Sequence, residues 1–164
     1  MRIFSVAATI CSLFFATVAQ SQDVSLLLRK ADELDAQGRS DEALQTLKEA
    51  EKIDPNNPNL LIQLSQDYSD KIDASTNQSQ KLAFAKLCLE YAKKAVREAP
   101  NNADAHVCLS IGYGKMTDFV DNKTKMEYSK VVKSEAEKAV ELNPKNDMAL
   151  LILARCFARQ FVRL

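Results

Sequence analysis

The single histidine of this sequence, His106, is the residue best suited to acid–base chemistry near neutral pH. A histidine becomes a general base when the fold places a nucleophile or a carboxylate beside it. The sequence shows no Ser–His–Asp arrangement, glycine-rich phosphate loop or HExxH motif that would supply such a setting. We therefore expect His106 to be a packed, hydrogen-bonded residue of a helical repeat, and we expect no enzymatic activity.

The cysteines could bind a metal or form disulfides, but their spacing matches no zinc or redox motif. Cys11 lies in an N-terminal apolar segment, which leaves Cys88, Cys108 and Cys156 in the rest of the chain. We interpret these three as small core residues of helices. A disulfide between Cys88 and Cys108 is the open alternative, because an oxidising compartment would permit it. No metal and no cofactor is predicted.

The charged residues are balanced and follow the pattern of solvated helix surfaces. Lys and Arg number 22, and Asp and Glu also number 22, so no bulk charge indicates nucleic acid as a partner. In the stretch EAEKAVE, Glu135 and Lys138 predict an exposed face with pairing between residues three apart. The basic stretch KTKMEYSK lacks the interleaved aromatic residues of a nucleic-acid-binding surface.

The elements that position these residues are predicted to be helices. The chain has only three glycines and four prolines, while 46% of its residues are hydrophobic and 27% are charged. Such a composition favours long helices over a turn-rich β fold. Because 164 residues suffice for one domain with a core, we predict a single all-α domain.

Residues 1–21 have the layout of a secretory signal peptide. Arg2 precedes an apolar run from Ile3 to Ala19, and Ala19 and Ser21 place small residues before a cut at Gln22. We therefore predict a secreted or periplasmic protein with residues 22–164 as its mature domain. An uncleaved membrane anchor is the alternative, because a run of 17 apolar residues is at the short limit for spanning a bilayer.

Three related stretches predict a repeated structure. They are AEKIDPNN at Ala50–Asn57, AVREAPNN at Ala95–Asn102 and AVELNPKN at Ala139–Asn146. Each proline marks a helix end, because the residue before a proline is biased away from the α-helical region. The asparagine or aspartate residues that follow can cap the next helix.

The first unit, Val24–Asn57, contains two apolar helical faces joined by a turn at Gly38. Small residues let two antiparallel helices approach closely, and one pair alone leaves apolar surface that a stacked neighbour must cover. The unit resembles a tetratricopeptide repeat (TPR), whose period is about 34 residues. The matching positions are Leu27, Ala31, Leu34, Ala43, Leu47, Ala50 and Pro55. Lys30 departs from the pattern, because the family usually has a large apolar residue there.

The second and third units are longer than the first. Pro55 and Pro100 are 45 residues apart, and Pro100 and Pro144 are 44 residues apart. We expect the extra residues to add about one turn to each helix, with polar turns at ASTNQSQ and DFVDNKT. The stretches NADAH, LSIGYGK and EAEKAVELNPKND are similar to the regulator-of-microtubule-dynamics family of TPR proteins. The resemblance implies an α-solenoid of about three and a half antiparallel helix pairs, the second and third elongated.

The TPR resemblance also implies a concave groove lined by the first helix of each unit. The groove positions transferred to this sequence are Leu28, Asp32, Asp35, Asn59, Ile62, Gln66, Ser69, Val107, Ile111, Lys115, Leu151, Arg155 and Arg159. This surface runs from acidic at one end to basic at the other, with apolar residues between, and could seat an extended or helical peptide. The alternative is that these positions are ordinary solvated surface.

The last helix, within Met148–Leu164, is predicted to cap the stack. Its large apolar residues form a face expected to pack on the third unit, as a capping helix should. These residues are Leu150, Leu153, Phe157, Phe161 and Leu164. On one flank Leu151 and Val162 have no predicted cover. Leaving each side chain exposed loses about 1.5–3 kcal/mol of hydrophobic stabilisation. We therefore expect the helix to self-associate or to meet a partner through Leu151 and Val162.

These features predict an exported, non-enzymatic scaffold that binds a protein or peptide ligand in its groove. The competing prediction is a membrane-tethered structural or assembly protein held by an uncleaved N-terminal helix. A homo-oligomer through the C-terminal helix is a further expected assembly. A membrane is an expected partner only if the N-terminal segment stays uncleaved, and nucleic acid is not expected.

Overall fold

The computed structural model describes the backbone of residues 23–161 and the side chains up to residue 158. Seven helices occupy this part of the chain, and no strand occurs within it. They are α1 (residues 23–36), α2 (Ser40–Ile53), α3 (Pro58–Ala74), α4 (Gln78–Glu98), α5 (Ala103–Met116), α6 (Asn122–Leu142) and α7 (Asp147–Phe161). A short 3-10 helix at Thr117–Phe119 follows α5. The predicted all-α class is confirmed.

The predicted signal segment or anchor, residues 1–21, lies outside the described residues. Within residues 23–161, no helix combines the length and the apolar character needed to span a bilayer. Export and anchoring therefore stay predictions.

The described residues form two compact units, which divide after Pro55. We name residues 23–55 the N-terminal unit and residues 56–161 the C-terminal unit. In the N-terminal unit, α1 and α2 bury the small residues of the repeat pattern, including Ala31 and Ala43. The turn between the two helices lies at Gly38, as predicted, because its φ of 74° is in the left-handed region that glycine adopts at little cost.

In the C-terminal unit each helix packs against the next, from α3 against α4 through to α6 against α7. The first helices of successive repeats, α3 and α5, also contact each other directly. No comparable contact joins the second helices, α4 and α6, in the part of the chain that the structure describes. α3 and α5 are therefore closer together than α4 and α6 and lie on the inner side of the stack, as first helices do in an α-solenoid of TPR-like repeats.

Asparagine side chains begin the helices that follow the prolines, as predicted. The Oδ1 atom of Asn57 accepts hydrogen bonds from two backbone N–H groups of α3, at 3.1 and 3.3 Å. Asn102 caps α5 in the same way, and Asn146 accepts a hydrogen bond from the backbone N–H of Ala149 at 3.0 Å. Each cap satisfies N–H groups that have no partner inside the helix, so local sequence sets where each first helix begins.

The extra residues of the long repeats lie mainly in their second helices. α4 and α6 each contain 21 residues, whereas α3 contains 17 and α5 contains 14. The prediction of about one additional turn in every helix is therefore wrong for α5. The connections are also shorter than the predicted polar turns. Asn77 caps α4 and Asp121 caps α6, so both helices begin within the polar stretches.

The core of the C-terminal unit contains a close approach of α4 and α5 at Gly112. A Cβ atom on Gly112 would lie 3.0 Å from the Cα atom and 3.4 Å from the backbone nitrogen of Leu89. Backbone atoms cannot swing aside as the end of a side chain can, so a larger residue here would need α4 and α5 to shift by a few tenths of an ångström. At Gly114 the nearest neighbour of an added Cβ would be Val132 Cγ2 at 3.9 Å, which leaves room for a methyl group.

The last helix packs on the preceding repeat through its smaller residues. Ala149 of α7 is fully buried in a cluster with Val107 of α5 and Ala139 of α6. Ile152 lies partly buried against the same cluster. The small side chains of Ala139 and Ala149 allow α6 and α7 to approach closely.

The large apolar residues that were predicted to form this packing face lie elsewhere. Leu150 and Phe157 are each 44% exposed, because the helix turns its smaller residues toward the core. Leu153 is half-buried. The prediction is therefore wrong for Leu150 and Phe157, and it stays a prediction for Phe161 and Leu164, whose side chains lie outside the described range.

Candidate functional site

The inner surface of the C-terminal unit consists of the accessible side chains along the first helices α3, α5 and α7. Two contacts align these helices. Lys115 Nζ of α5 lies 2.5 Å from Asp73 Oδ1 of α3. The Nδ2 of Asn146, the residue before α7, donates a hydrogen bond to Asp104 Oδ1 of α5 at 2.8 Å. Because both contacts join neighbouring first helices, the three helices present one continuous surface.

On α3, two of the four predicted groove positions are accessible. Asn59 and Gln66 are exposed, and their side-chain amides make no hydrogen bond to other described residues. Ile62 is 8% exposed and Ser69 is 9% exposed, so these two side chains offer little surface to a ligand. An amide both donates and accepts hydrogen bonds, and Asn59 and Gln66 are therefore suited to pair with a peptide backbone.

On α5, the groove positions form an apolar centre with a basic end. Val107 belongs to the buried cluster at 5% exposure, so it contributes to the core more than to the surface. Ile111 is half-buried and packs partly against that cluster. Lys115 is half-buried as well, and its ammonium group forms an ion pair with Asp73. Ile111 and Lys115 are therefore the accessible predicted positions of this helix.

Asp70, which the transferred TPR positions omit, adds a second carboxylate near Asp73 on α3. Burial raises the pKa of Asp70, and the neighbouring Asp73 carboxylate raises it further, while the Lys115 ammonium lowers it. Asp70 forms no ion pair within residues 23–158. The signal in the sequence was its spacing, because Gln66, Asp70 and Asp73 recur at the intervals of one helix face.

On α7, the described part of the surface combines apolar and basic character. Leu151 is 43% exposed, and Arg155 is exposed without an ion pair to any described residue. The side chains of Arg159 and Val162 lie outside the described range. The predicted basic end of the groove is therefore represented by Arg155.

The predicted groove positions of α1 belong to the N-terminal unit. Asp32 and Asp35 are exposed there, whereas Leu28 is 9% exposed and packs in the core. The two carboxylates are accessible as predicted positions, and Leu28 has little surface to offer a ligand.

His106 is packed and hydrogen-bonded, as predicted, and its partners are now identified. Its Nδ1 atom lies 2.6 Å from Oε2 of Glu135 on α6, and its Nε2 atom lies 2.9 Å from the carbonyl oxygen of Pro100. The prediction that Glu135 lies on a solvated face is wrong, because its carboxylate contacts His106 and its side chain is 22% exposed. The pairing of residues three apart predicted for EAEKAVE occurs between Lys138 and Glu141, at 3.0 Å. His106 and Glu135 are 29 residues apart, a separation that local spacing cannot reveal.

Cys88 and Cys108 are free thiols in the core, which supports their interpretation as small core residues and not as a disulfide. Burial raises the pKa of the Cys108 thiol to about 12, and burial also raises the pKa of Cys88. Thiols that stay protonated are poor nucleophiles. Cys156 is half-buried and free. No group of three or more His, Cys, Asp and Glu residues in the described part of the chain is arranged to hold a metal ion.

Solved structures of TPR proteins share this fold. A thermophilic TPR protein of Thermus thermophilus superposes with a TM-score of 0.68 at 24% sequence identity, over 84% of this chain and 66% of the other. The first TPR of Spaghetti (RPAP3), bound to the HSP90 peptide SRMEEVD, gives a TM-score of 0.64 at 20% identity, over 85% of this chain and 94% of the other. These similarities confirm the predicted α-solenoid of TPR-like repeats.

A family comparison adds sequence evidence to the fold. Residues 27–160 match the model of the family described as regulator of microtubule dynamics protein 1-3. Among its relatives, regulator of microtubule dynamics protein 3 of Bos taurus is 28% identical over 137 residues, which is 82% of this chain and 29% of the relative. The chain thus spans less than a third of that relative's length. The predicted resemblance is confirmed, and the chain belongs to the regulator of microtubule dynamics protein 1-3 family.

Proposed function

We propose that this protein is a non-enzymatic interaction scaffold and that the inner surface of its C-terminal unit binds a peptide segment of a protein partner. The observation that carries the proposal is the pair of exposed amides on α3. Asn59 and Gln66 lie on a continuous surface without hydrogen-bond partners among the described residues. On α5, which packs against α3, the half-buried Ile111 supplies apolar contact area, so the surface offers both kinds of interaction that hold an extended peptide.

The TPR fold supports the proposal by analogy. The first TPR of Spaghetti (RPAP3) was solved with a bound HSP90 peptide, so a helical stack of this architecture can accommodate a peptide. The analogy supports the mode of binding and leaves the partner open, because function resides in the site and not in the fold.

Peptide selection on the full chain tests this role. A phage-displayed library of random peptides is selected on the purified protein, and the binding of enriched peptides is measured by titration calorimetry. Gln66→Arg places a long charged side chain on the inner surface and is expected to abolish binding. Ala83→Arg makes a similar change at an exposed position of α4 and serves as the control. Enrichment of no peptide, or equal binding to both variants and the wild type, would overturn the proposal.

Export through the N-terminal segment is part of the proposed role. The support is the order of Arg2, the apolar run and the small residues before Gln22. Sequencing the N-terminus of the protein recovered from its native host decides the question. A chain that begins near Gln22 supports export, whereas an intact N-terminus in a membrane fraction would favour the membrane-tethered scaffold instead.

Self-association through α7 is a second proposal, which the exposure of its apolar residues favours. Leu150, Leu151 and Phe157 are 43–44% exposed on this helix, and an apolar patch that is left open commonly marks an interface. Two copies could cover these residues by packing α7 against α7, which would make self-association and a ligand contact at Leu151 mutually exclusive. Val162, the other residue predicted for this contact, lies outside the described residues.

Sedimentation analysis tests this second proposal. The wild type is expected to sediment as a dimer or larger oligomer, and replacing Leu151 and Val162 with Glu is expected to give monomers. Met126→Glu is the control, because Met126 is 60% exposed on α6, outside the proposed contact. A wild type that sediments as a monomer would refute self-association.

A further inference from the structure

On the α3 side of the inner surface, two carboxylates lie near a single cation. Asp70 and Asp73 lie one turn apart on α3, and Lys115 of α5 approaches Asp73 to 2.5 Å. Asp70 forms no ion pair within residues 23–158. One ammonium group therefore faces two carboxylates, and a second cation beside Asp70 would complete the pairing.

The α7 side of the same surface has the opposite charge. Arg155 is exposed and has no ion pair with another described residue. It occupies the position of α7 that corresponds to Ile111 of α5, because the two residues are 44 positions apart, as are Pro100 and Pro144. The guanidinium group is suited to binding a carboxylate through two hydrogen bonds.

Apolar side chains lie between the two charged ends. Ile111 of α5 is half-buried, and Leu151 of α7 is 43% exposed. Because Lys115 of α5 is paired with Asp73, the order of the remaining groups across the three first helices is acidic, apolar and basic. A ligand that follows the surface from α3 to α7 meets these three environments in sequence.

We infer that the inner surface binds an extended protein segment with the order basic, apolar, acidic. Its basic residue lies against Asp70 and Asp73, its apolar residue contacts Ile111 and Leu151, and its acidic residue lies against Arg155. The inference rests on the proposed peptide-binding function and adds to it the charge order of the ligand and a single binding direction. Complementary charges suit this task, because they fix the register and reject a reversed ligand.

The spacing of the helices sets the spacing of the charged residues in the ligand. Packed helices lie about 8–10 Å apart, so a path across two such steps is about 16–20 Å long. An extended chain advances about 3.3 Å per residue. The basic and acidic residues of the segment are therefore expected about five or six positions apart.

Selection of a phage-displayed library of random 12-residue peptides on the full 164-residue chain tests this inference. The enriched peptides are expected to share a basic and an acidic residue at the predicted spacing. The basic residue is expected on the same side of the acidic one, N-terminal or C-terminal, in all of them. Asp70→Lys and Arg155→Glu are each expected to weaken the selected peptides about tenfold, a loss of about 1.4 kcal/mol. Peptides with their two charged residues exchanged are expected to bind the double variant best.

Control variants make the same charge changes elsewhere. Glu127→Lys matches Asp70→Lys, and Lys86→Glu matches Arg155→Glu, since both residues are exposed on second helices. These controls are expected to leave peptide affinity within about twofold of the wild type, because surface charges beyond a Debye length are screened.

The outcomes separate this inference from the function on which it rests. Enriched peptides that lose binding with Gln66→Arg but show no charge order, or that ignore both charge reversals, would overturn the inference and leave the scaffold role intact. If no enriched peptide responds to any inner-surface variant, both the scaffold role and the charge order fail.

Discussion

α5 and α7 occupy equivalent places in successive repeats, yet their surfaces differ. Residues 44 positions apart correspond, because Pro100 and Pro144 precede the two helices at that spacing. Ala105 of α5 and Ala149 of α7 are both fully buried. In contrast, His106 is 7% exposed and the corresponding Leu150 is 44% exposed. Since the polar residue is buried and the apolar one is exposed, burial at this position is set by the neighbouring helices and not by residue type.

The helix that follows explains the difference. His106, Ser110 and Tyr113 lie on the face of α5 that contacts α6, through two hydrogen bonds and an edge-to-face aromatic contact. The corresponding residues of α7 are all exposed: Leu150, Ala154 and Phe157. No helix after α7 lies within the described residues to cover them. An internal first helix is therefore held on two sides, and α7 is held on one.

The largest expected effect comes from removing a leucine at the same position of both helices. Leu109→Ala in α5 is expected to lower the free energy of unfolding by about 2–5 kcal/mol, because Leu109 is 8% exposed and its loss leaves a cavity. Leu153→Ala in α7 is expected to cost about 1 kcal/mol, because Leu153 is half-buried and solvent can fill the space. Urea denaturation measures both. Equal losses would show that α7 is as firmly covered as α5.

The second prediction exchanges residue types between the two helices. His106→Leu gives α5 the residue of α7 and is expected to cost about 1–3 kcal/mol, since Glu135 and the Pro100 carbonyl oxygen both lose their hydrogen-bond partner. Leu150→His makes the reverse change in α7 and is expected to alter stability by less than about 0.5 kcal/mol. Thermal unfolding followed by circular dichroism compares them.

A combined variant completes this test. Replacing Glu135 by Met together with His106→Leu removes both members of the pair and is expected to recover part of the lost stability, because no buried charge is left alone. If His106→Leu alone has no effect, the hydrogen bonds between α5 and α6 do not stabilise the internal helix.

The third prediction concerns how closely each first helix approaches the helix before it. Gly112 of α5 corresponds to Cys156 of α7, so the second position accepts a side chain that the first excludes. Gly112→Ala is expected to lower stability by about 1–2 kcal/mol, because the clash with the Leu89 backbone exceeds the gain in helix propensity of about 1 kcal/mol.

Gly114→Ala is the matched control for this substitution. Its new methyl group would lie 3.9 Å from Val132, so only the helix propensity changes and stability is expected to rise by about 0.5–1 kcal/mol. Chemical denaturation of both variants gives the difference. A Gly112→Ala variant as stable as Gly114→Ala would mean that α4 and α5 can move apart at no cost.

Local sequence signals predicted much of the fold, and non-local contacts account for the rest. The start of α5 could be predicted because Asn102 caps it directly and Pro100 ends the preceding helix. The bond between His106 and Glu135 could not, since it joins residues on two helices whose alignment is set by packing. The exposure of Leu150 was missed for the same reason, because periodicity reveals an apolar face but not whether a neighbour covers it.

The residues of the candidate site could also be predicted only in part from the sequence. Exposed polar positions such as Gln66 and Arg155 follow from the repeat register alone, which the sequence contains. Asp70 was missed because the transferred positions of the TPR pattern omit it, and because its electrostatic environment includes Lys115 of α5, a residue distant in sequence. Ile62 and Val107 were selected by the same pattern although they are core residues at 8% and 5% exposure.

The smallest expected effect compares two exposed ionisable groups. Asp70 is exposed but partly desolvated, and this desolvation together with the Asp73 carboxylate raises its pKa in the folded protein. The folded state therefore binds this proton more tightly than the unfolded state, so the contribution of Asp70 to stability falls as the pH rises above the unfolded pKa and levels off above the folded one. Asp70→Asn removes that dependence and is expected to stabilise the protein at pH 7 by less than about 1 kcal/mol, because solvent screens the carboxylate.

Asp121, which caps α6 in an open position, provides the opposite case. Hydrogen bonds from the side chain and the backbone of Thr124 lower its pKa, so its contribution to stability is lost as the pH falls through the folded pKa. Asp121→Asn keeps an acceptor oxygen for the cap and is expected to remove this acid dependence. Denaturation midpoints of the wild type and both variants are measured between pH 3 and pH 7. The slope for each residue is the change with pH of the difference between the wild-type and the variant midpoint. Slopes of the same sign for Asp70 and Asp121 would contradict a raised pKa of Asp70 and would indicate that its carboxylate is already paired, against the charge order proposed for the inner surface.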